Sequence, residues 1–165
     1  MANILANLRD HGVTDRYMRG AKMKILFITS MAIITPKPAE SRRLFVDTLG
    51  LPLKAHENDD YYYSQDIAGS KHFGVWPLSK AAEACFSTSA WPSNRPIPHA
   101  SFEFEVADKQ SVASAALELQ SMGYALLHDV HTEPWGQTIV RLQTSEGAIV
   151  GISHAPSLHE GGKIG

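Results

Sequence analysis

Side chains that could act on a small molecule recur at every second position of one short segment. His99, Ser101 and Glu103 alternate with apolar residues, so a β-strand over 99–106 would present them on one face. A carboxylate in a dry cleft can serve as a general base, and a histidine can exchange protons beside it. Glu103 and His99 are therefore our candidates for catalysis. The simpler alternative for His99 is a residue at the end of the strand whose side chain is solvated and has no role in a site.

The sequence also contains groups that bind metals, but in no arrangement typical of a metal site. His72, His99 and Glu103 could converge as ligands, yet metal chemistry needs three or four such groups together. Cys85 is the only cysteine, which excludes a cysteine-rich zinc site and an intrachain disulfide, and it is predicted to be structural. Polar surface positions are predicted for four further histidines: His128, His131, His154 and His159. We predict no bound metal and no cofactor.

Two tryptophans are placed where they could contact a ligand. Trp76 lies on a predicted strand, and Trp135 lies at a predicted bend near the mouth of a cleft. Indole faces there would suit a flat aromatic or cationic ligand. Trp91 is predicted to anchor a loop. Residues 61–63 are three tyrosines whose rings must alternate between faces, so only part of the run can line a cavity.

Composition and charge exclude several classes of protein. The 165 residues are 44% hydrophobic, enough for one domain with a substantial core. The formal charge of -2 and the lack of a dense Lys/Arg run argue against nucleic acid as a partner. The longest apolar stretch, 25–34, is too short to span a bilayer. We expect a cytoplasmic protein that has no membrane partner.

Hydrophobic periodicity divides the chain into two halves of the same order, in which a strand precedes a helix and three strands follow. The first half comprises a strand at 24–35, a helix at 39–49, and strands at 53–56, 61–67 and 71–78. The second comprises a strand at 99–106, a helix that begins after Asp108 and ends at Gly123, and strands at 125–130, 137–143 and 148–153. Residues 81–95 are predicted to be a connector, because Trp-Pro and Arg-Pro steps disfavour a regular element.

Besides the duplication, four short stretches carry a resemblance to a known family: 43–52 (RLFVDTLGLP), 102–108 (FEFEVAD), 133–137 (EPWGQ) and 145–151 (SEGAIVG). The order and spacing of these stretches resemble those of the vicinal oxygen chelate superfamily, which includes glyoxalases, ring-cleaving dioxygenases and bleomycin-resistance proteins. The resemblance implies an α+β fold of two tandem βαβββ modules, which form a curved mixed sheet around a central cleft. We expect an N-terminal extension at 1–23, a domain at 24–156 with modules at about 24–80 and 98–156, and a C-terminal tail at 157–165.

Enzymes of this superfamily hold a divalent metal in the cleft, and the resemblance indicates which positions here would supply its ligands. Ser30 takes the ligand position on the first strand, Ser101 on the fifth and Gly151 on the last. Gly74 or Trp76 lies nearest to the position on the fourth strand. A serine hydroxyl is a poor ligand for a divalent ion, and glycine has no side chain to offer. The resemblance thus implies that the usual metal site is absent.

The leading functional prediction is a binding protein whose metal-free cavity holds a small hydrophobic or aromatic molecule. The alternative is a lyase, isomerase or dioxygenase of the superfamily with an atypical metal site, so whether the chain is an enzyme is left open, as is the identity of its ligand. A homodimer is expected, because the edges of an open sheet need cover. The residues predicted to contact the ligand are Ser30, Trp76, His99, Ser101, Glu103, Trp135 and Gly151.

Overall fold

The computed structural model describes residues 22–57 and 59–159 of the chain, so most of the predicted N-terminal extension lies outside the described residues. The strands are β1 (Phe27–Thr35), β2 (Lys54–Ala55), β3 (Tyr62–Ser64), β4 (Phe73–Pro77), β5 (Ala100–Glu105), β6 (His131–Thr132), β7 (Thr138–Gln143) and β8 (Ile149–His154). The helices are α1 (Pro38–Arg42), which continues as a π-helical segment (Arg43–Thr48), α2 (Leu78–Phe86) and α3 (Lys109–Ser121), and a 3-10 turn follows at Pro156–Leu158. None of the helices in this described part is long and apolar enough to cross a membrane.

The strands form a single mixed sheet in the order β2-β3-β4-β1-β5-β8-β7-β6. Strands β1 and β4 pair in parallel, as do β5 and β8, while β1 and β5 pair antiparallel at the centre. Reading outward from this central pair, each half of the sheet contains the four strands of one βαβββ module. The predicted fold class is therefore confirmed: two tandem modules share one curved sheet.

Helix α3 covers the outer face of the second module. Asp108 caps its first turn by accepting a hydrogen bond from the backbone N–H of Ser111 at 2.7 Å. The chain leaves the helix through Gly123, whose φ of +88° is readily adopted only by glycine. Buried side chains of the helix and the sheet form one core cluster: Val106, Val112, Ala115, Ala116, Val140 and Ile152. The start and end predicted for this helix agree with the structure.

The predicted connector over 81–95 is wrong in its first part, because α2 occupies Leu78–Phe86. The Trp-Pro step that argued against regular structure begins only at Trp91, after the helix has ended. Ala81, Ala82 and Cys85 are the buried residues of α2, and Ala81 and Cys85 pack in one core cluster with Ile34 of the sheet. Helix α2 therefore closes one side of the cleft.

The strand predicted at 125–130 is also wrong. This segment makes one isolated bridge, between Leu126 and Leu142, and the regular strand β6 is limited to His131–Thr132. The ring nitrogens Nδ1 of His128 and His131 lie 2.8 and 3.2 Å from the carbonyl oxygen of Asp129. Such local contacts between side chain and backbone compete with the hydrogen bonds of a strand ladder.

Strand β1 contains an irregularity that matters for the cleft. Its register with β5 shifts between Ile28 and Ser30, as in a β-bulge. As a result Thr29 and Ser30, although adjacent in sequence, both line the concave face of the sheet. Strict alternation would have turned one of them to the opposite face.

Candidate functional site

A cavity of about 550 Å³ opens on the concave face of the sheet. Its floor comes from both modules, since Ser30 of β1 and Ser101 of the adjacent strand β5 both line it. Helix α2 borders one side, and the turn before β7 borders another. The volume is in the range usual for small-molecule sites.

The cavity lining includes the guanidinium of Arg141 on β7, whose side chain is 2% exposed. It donates to Glu133 Oε1 at 3.0 Å and to Glu103 Oε1 at 3.3 Å. Gln137 donates to the other oxygen of Glu103 at 2.9 Å. Burial lowers the pKa of Arg141, but the charges of Glu103 and Glu133 outweigh this and raise it, so the cluster keeps a cation between two carboxylates.

An aromatic wall lies on the side of the first module. The Tyr63 ring stacks on His72 with centroids 5.0 Å apart and planes within 10°, and the Tyr61 ring stacks on Tyr63 at 5.6 Å. The hydroxyl of Tyr61 is hydrogen-bonded to Nε2 of His72. Burial raises the pKa of Tyr61 and lowers the pKa of His72, with Glu103 opposing the latter shift. Both groups are then neutral, and the tautomer of His72 sets which of them donates in this hydrogen bond.

The three tyrosines alternate between faces as predicted. Tyr61 and Tyr63 line the cavity, whereas the ring of Tyr62 lies under the guanidinium of Arg42, 5.6 Å from its centroid. Only part of the run therefore contributes to the site.

Two tryptophans lie at different depths of the cavity. The ring of Trp76 is half-buried and its centroid lies 5.8 Å from the guanidinium carbon of Arg141, within the range of a cation–π contact. Trp135 is 63% exposed and stands at the mouth, on a turn that Gly136 closes with a φ of +91°. Its Nε1 donates to Gln137 Oε1 at 2.9 Å, which orients the indole. Each tryptophan is thus tied to the polar cluster.

The structure brings together five of the seven residues predicted to contact a ligand. His99 is not among them: it lies just before β5, its side chain is exposed, and its carbonyl accepts a hydrogen bond from the Ile34 N–H at 3.0 Å. Gly151 is buried beneath Glu103 rather than open to the cavity. Those that do line the cavity are Ser30, Trp76, Ser101, Glu103 and Trp135.

Arg141 and Gln137 are not among the site residues predicted from the sequence, and only Arg141 has a sequence pattern that could have indicated it. Arg141 interrupts the apolar stretch of β7 at a position where strand alternation points inward, so a charged residue there needs a buried partner. Cys85, which is predicted to be structural, is one of the buried residues of α2. It is 1% exposed in the core under α2, and burial raises the pKa of its thiol to about 11, so it is a poor nucleophile.

Acidic side chains outnumber basic side chains around the cavity. Lys80 pairs with Glu83 at 3.1 Å and with Asp59 at 3.6 Å at the rim. Together with the cluster at Arg141, four carboxylates then face two basic side chains, an excess of two negative charges among the described lining residues. The cavity is therefore electrostatically suited to a cation.

No family model matches this sequence, and no curated protein matches it. Solved structures do. A glyoxalase/bleomycin resistance protein/dioxygenase superfamily member from Vibrio splendidus aligns with a TM-score of 0.51 at 14% identity, covering 78% of this chain and 99% of that one. A methylmalonyl-CoA epimerase from Streptomyces coelicolor, solved with 2-nitronate-propionyl-CoA, aligns with a TM-score of 0.54 at 15% identity, covering 81% and 99%. The chain has the vicinal oxygen chelate fold.

A third neighbour with the vicinal oxygen chelate fold is the Mn(II)-bound glyoxalase from Novosphingobium aromaticivorans, with a TM-score of 0.54 and 12% identity over 81% of this chain and 39% of that one. At such identities the likeness is one of fold alone, so what these proteins bind does not transfer to this chain. The residues of the present cavity decide whether a metal fits.

The residues that the resemblance assigns to the metal-ligand positions do not fit a divalent metal. A Cβ added to Gly151 would lie 3.0 Å from Glu103 Cγ and 3.0 Å from Ile139 Cδ1. A Cβ added to Gly74 would lie 2.7 Å from the ring of Tyr61. These glycines occupy matching places beside β5 and β1, and each is covered by a neighbouring side chain. Ser30 and Ser101 complete the set with neutral hydroxyls, and Trp76, the alternative to Gly74, has no ligand atom to offer. The four positions therefore supply no anionic or imidazole ligand.

Proposed function

We propose that this protein binds a small, flat aromatic molecule carrying a positive charge, in the cavity between its two modules and without a metal at the positions the fold commonly uses. The observation that supports this most directly is the combination of aromatic rings and excess carboxylates around one concave space. Aromatic faces bind flat ligands by stacking, and they attract cations through the negative faces of their rings.

The positions of the rings support binding of a planar body. Trp76 lies deep in the cavity and Trp135 at its mouth, so a molecule entering between them passes two indoles. The stacked pair Tyr63 and His72 offers a further flat surface on the first module. The sequence predicts a hydrophobic or aromatic ligand, and the present proposal specifies in addition that this ligand is flat and positively charged.

The charges support binding of a cation rather than an anion. Arg141 is buried and already paired with Glu103 and Glu133, so its guanidinium is not available to an incoming carboxylate or phosphate. The net charge of the lining is negative, and a negative lining in a partly enclosed cavity disfavours anions strongly.

Proflavine and anthracene carboxylate test this proposal, because both are flat three-ring molecules of opposite charge. We expect proflavine to bind, as measured by the polarisation of its emission, and anthracene carboxylate to bind at least about tenfold more weakly, by calorimetry. In Trp76→Ala combined with Trp135→Ala, affinity for proflavine should fall about tenfold to a hundredfold if each ring contributes ~1 kcal/mol.

Trp91→Ala is the matched control, because Trp91 packs on Phe86 outside the cavity and donates to the carbonyl of Pro96. Its affinity for proflavine should equal that of the wild type. If neither compound binds, or if the double tryptophan variant binds as tightly as the control, the proposal is wrong. Native mass spectrometry after gentle purification adds a direct search for a co-purified molecule.

One observation favours the enzymatic alternative, a lyase, isomerase or dioxygenase. The hydrogen-bonded pair Tyr61 and His72 lines the same cavity as Glu103, and such groups can move protons. Against this, both oxygens of Glu103 are already hydrogen-bonded, one to Arg141 and one to Gln137, which weakens it as a base. Turnover of a carbonyl substrate, with and without added divalent metal, would separate enzyme from binding protein.

We also propose that the chain forms a homodimer in the cytoplasm, with a small molecule rather than nucleic acid or a membrane as its other partner. The outer face of the sheet supports the dimer, since Ile28, Ile33 and Phe102 are each more than a third exposed there. Light scattering at micromolar concentration should give twice the mass of the 18.1 kDa chain. The mass of a single chain would contradict the dimer.

A further inference from the structure

Three side chains from the second module and the residues after it converge at one end of the sheet. Glu105 ends β5, His154 ends β8, and His159 follows the 3-10 turn. Nε2 of His159 is hydrogen-bonded to Glu105 Oε1 at 2.7 Å, and Nδ1 of His154 lies 3.4 Å from the same oxygen. One nitrogen or oxygen from each residue lies within 4.8 Å of the other two. Sequence reasoning had assigned both histidines to a polar surface.

Glu105 is held in one orientation by hydrogen bonds. Its side chain is completely buried. Oε2 accepts from the hydroxyls of Thr29 at 2.9 Å and Ser153 at 3.1 Å, and Oε1 accepts from the backbone N–H of Ala155 at 2.6 Å. Outer hydrogen bonds of this kind are what orient the carboxylate ligands of metal sites.

The two imidazoles supply the rest of a ligand set. Nδ1 of His154 is buried and has no hydrogen-bond partner among the described residues, although it faces the carboxylate. The rings of His154 and His159 lie 4.9 Å apart, tilted by 55°, so that both can direct a nitrogen toward Glu105. An unpaired ring nitrogen facing a carboxylate is satisfied by a cation between them.

We propose that Glu105, His154 and His159 bind a divalent transition-metal ion, with Zn²⁺ as the best fit. Two imidazole nitrogens and one carboxylate oxygen are a usual ligand set for zinc, and they leave a fourth position open to water. The site is separate from the positions of Ser30, Ser101 and Gly151. It is independent of the proposed binding function, although Ala155 and Leu158 beside it also line the cavity.

Metal titration of the full chain, first stripped with a chelator, tests the site. Zn²⁺ competed against a chromophoric chelator should bind at one ion per chain, and Co²⁺ should give the visible absorption of a low-coordinate nitrogen and oxygen site. In His154→Ala combined with His159→Ala, Zn²⁺ affinity should fall at least about 100-fold, beyond the loss typical of removing an outer-shell partner.

His128→Ala combined with His131→Ala is the matched control, because it removes another close pair of imidazoles, 4.6 Å apart, from outside the cluster. This variant should bind Zn²⁺ as tightly as the wild type. His159→Ala alone serves if the double variant does not fold, since His159 lies beyond the last strand and is partly exposed. No Zn²⁺ binding by the wild type, or equal binding by the His159 variant and the wild type, would overturn the proposal.

Discussion

Arg141→Met is expected to lower the free energy of unfolding by about 3–5 kcal/mol, the cost typical of removing one partner from a buried ionic cluster. The carboxylates of Glu103 and Glu133 would lose the cation that lies 3.3 and 3.0 Å from them. Methionine fills much of the same volume, so the change removes the charge and its hydrogen bonds while most of the packing is kept. Urea denaturation followed by circular dichroism measures it, provided that the m-value is unchanged.

Arg42→Met is the matched control for this prediction. Its ion pair with Asp47 is 3.9 Å long and about half exposed on both sides, so the loss should stay below about 1 kcal/mol. Adding Glu103→Gln to Arg141→Met should restore part of the stability, because it removes one of the two buried carboxylates that have lost the guanidinium. Equal losses in the Arg141 and Arg42 variants would show that the buried cluster is not what stabilises the second module.

Glu105→Ala is expected to destabilise the protein by about 4 kcal/mol, roughly two charge-assisted hydrogen bonds at about 2 kcal/mol each. The N–H of Ala155 would be left without its acceptor, and Thr29 would lose the carboxylate at 2.9 Å. The hydroxyls of Thr29 and Ser153 lie 3.1 Å apart and can still pair with each other, which limits the loss. The same urea measurement, with metal chelated, reports the change.

Two comparisons make the Glu105 prediction specific. Glu105→Gln keeps one acceptor oxygen and the side-chain volume, so its loss should be smaller than that of the alanine variant. Glu146→Ala removes a carboxylate from an exposed turn and should change stability by less than about 0.5 kcal/mol. A Glu105→Ala protein as stable as the Glu146 variant would refute the structural role assigned to this carboxylate.

The sequence predicted the elements that local patterns determine. The alternation through Ser101 and Glu103 marks β5 and the face it turns to the cavity. Asp108 and Gly123 mark the two ends of α3, because a capping carboxylate and a positive φ are local requirements. The tandem order of the modules follows from the same signals repeated, and the solved structures of this fold agree with it.

What the sequence did not predict depends on distant residues. The helix at Leu78–Phe86 is stabilised by burying Ala81 and Cys85 against the sheet, which a local pattern does not reveal. Arg141 meets Glu103 across 38 positions of sequence, so neither residue alone identifies the ionic cluster. His99 was assigned to the cavity by alternation, but β5 begins only at Ala100, and the alternation stops there.

The bulge in β1 has a consequence for the symmetry of the molecule. A perfect internal repeat would give a cleft whose two ends are copies of each other. The extra residue instead turns Thr29 toward the buried carboxylate of Glu105, while Tyr61 and His72 line the cavity farther along the first module. A ligand that lies across this cleft would therefore contact different side chains at its two ends. The two modules repeat the same strand order but line the cavity with different side chains.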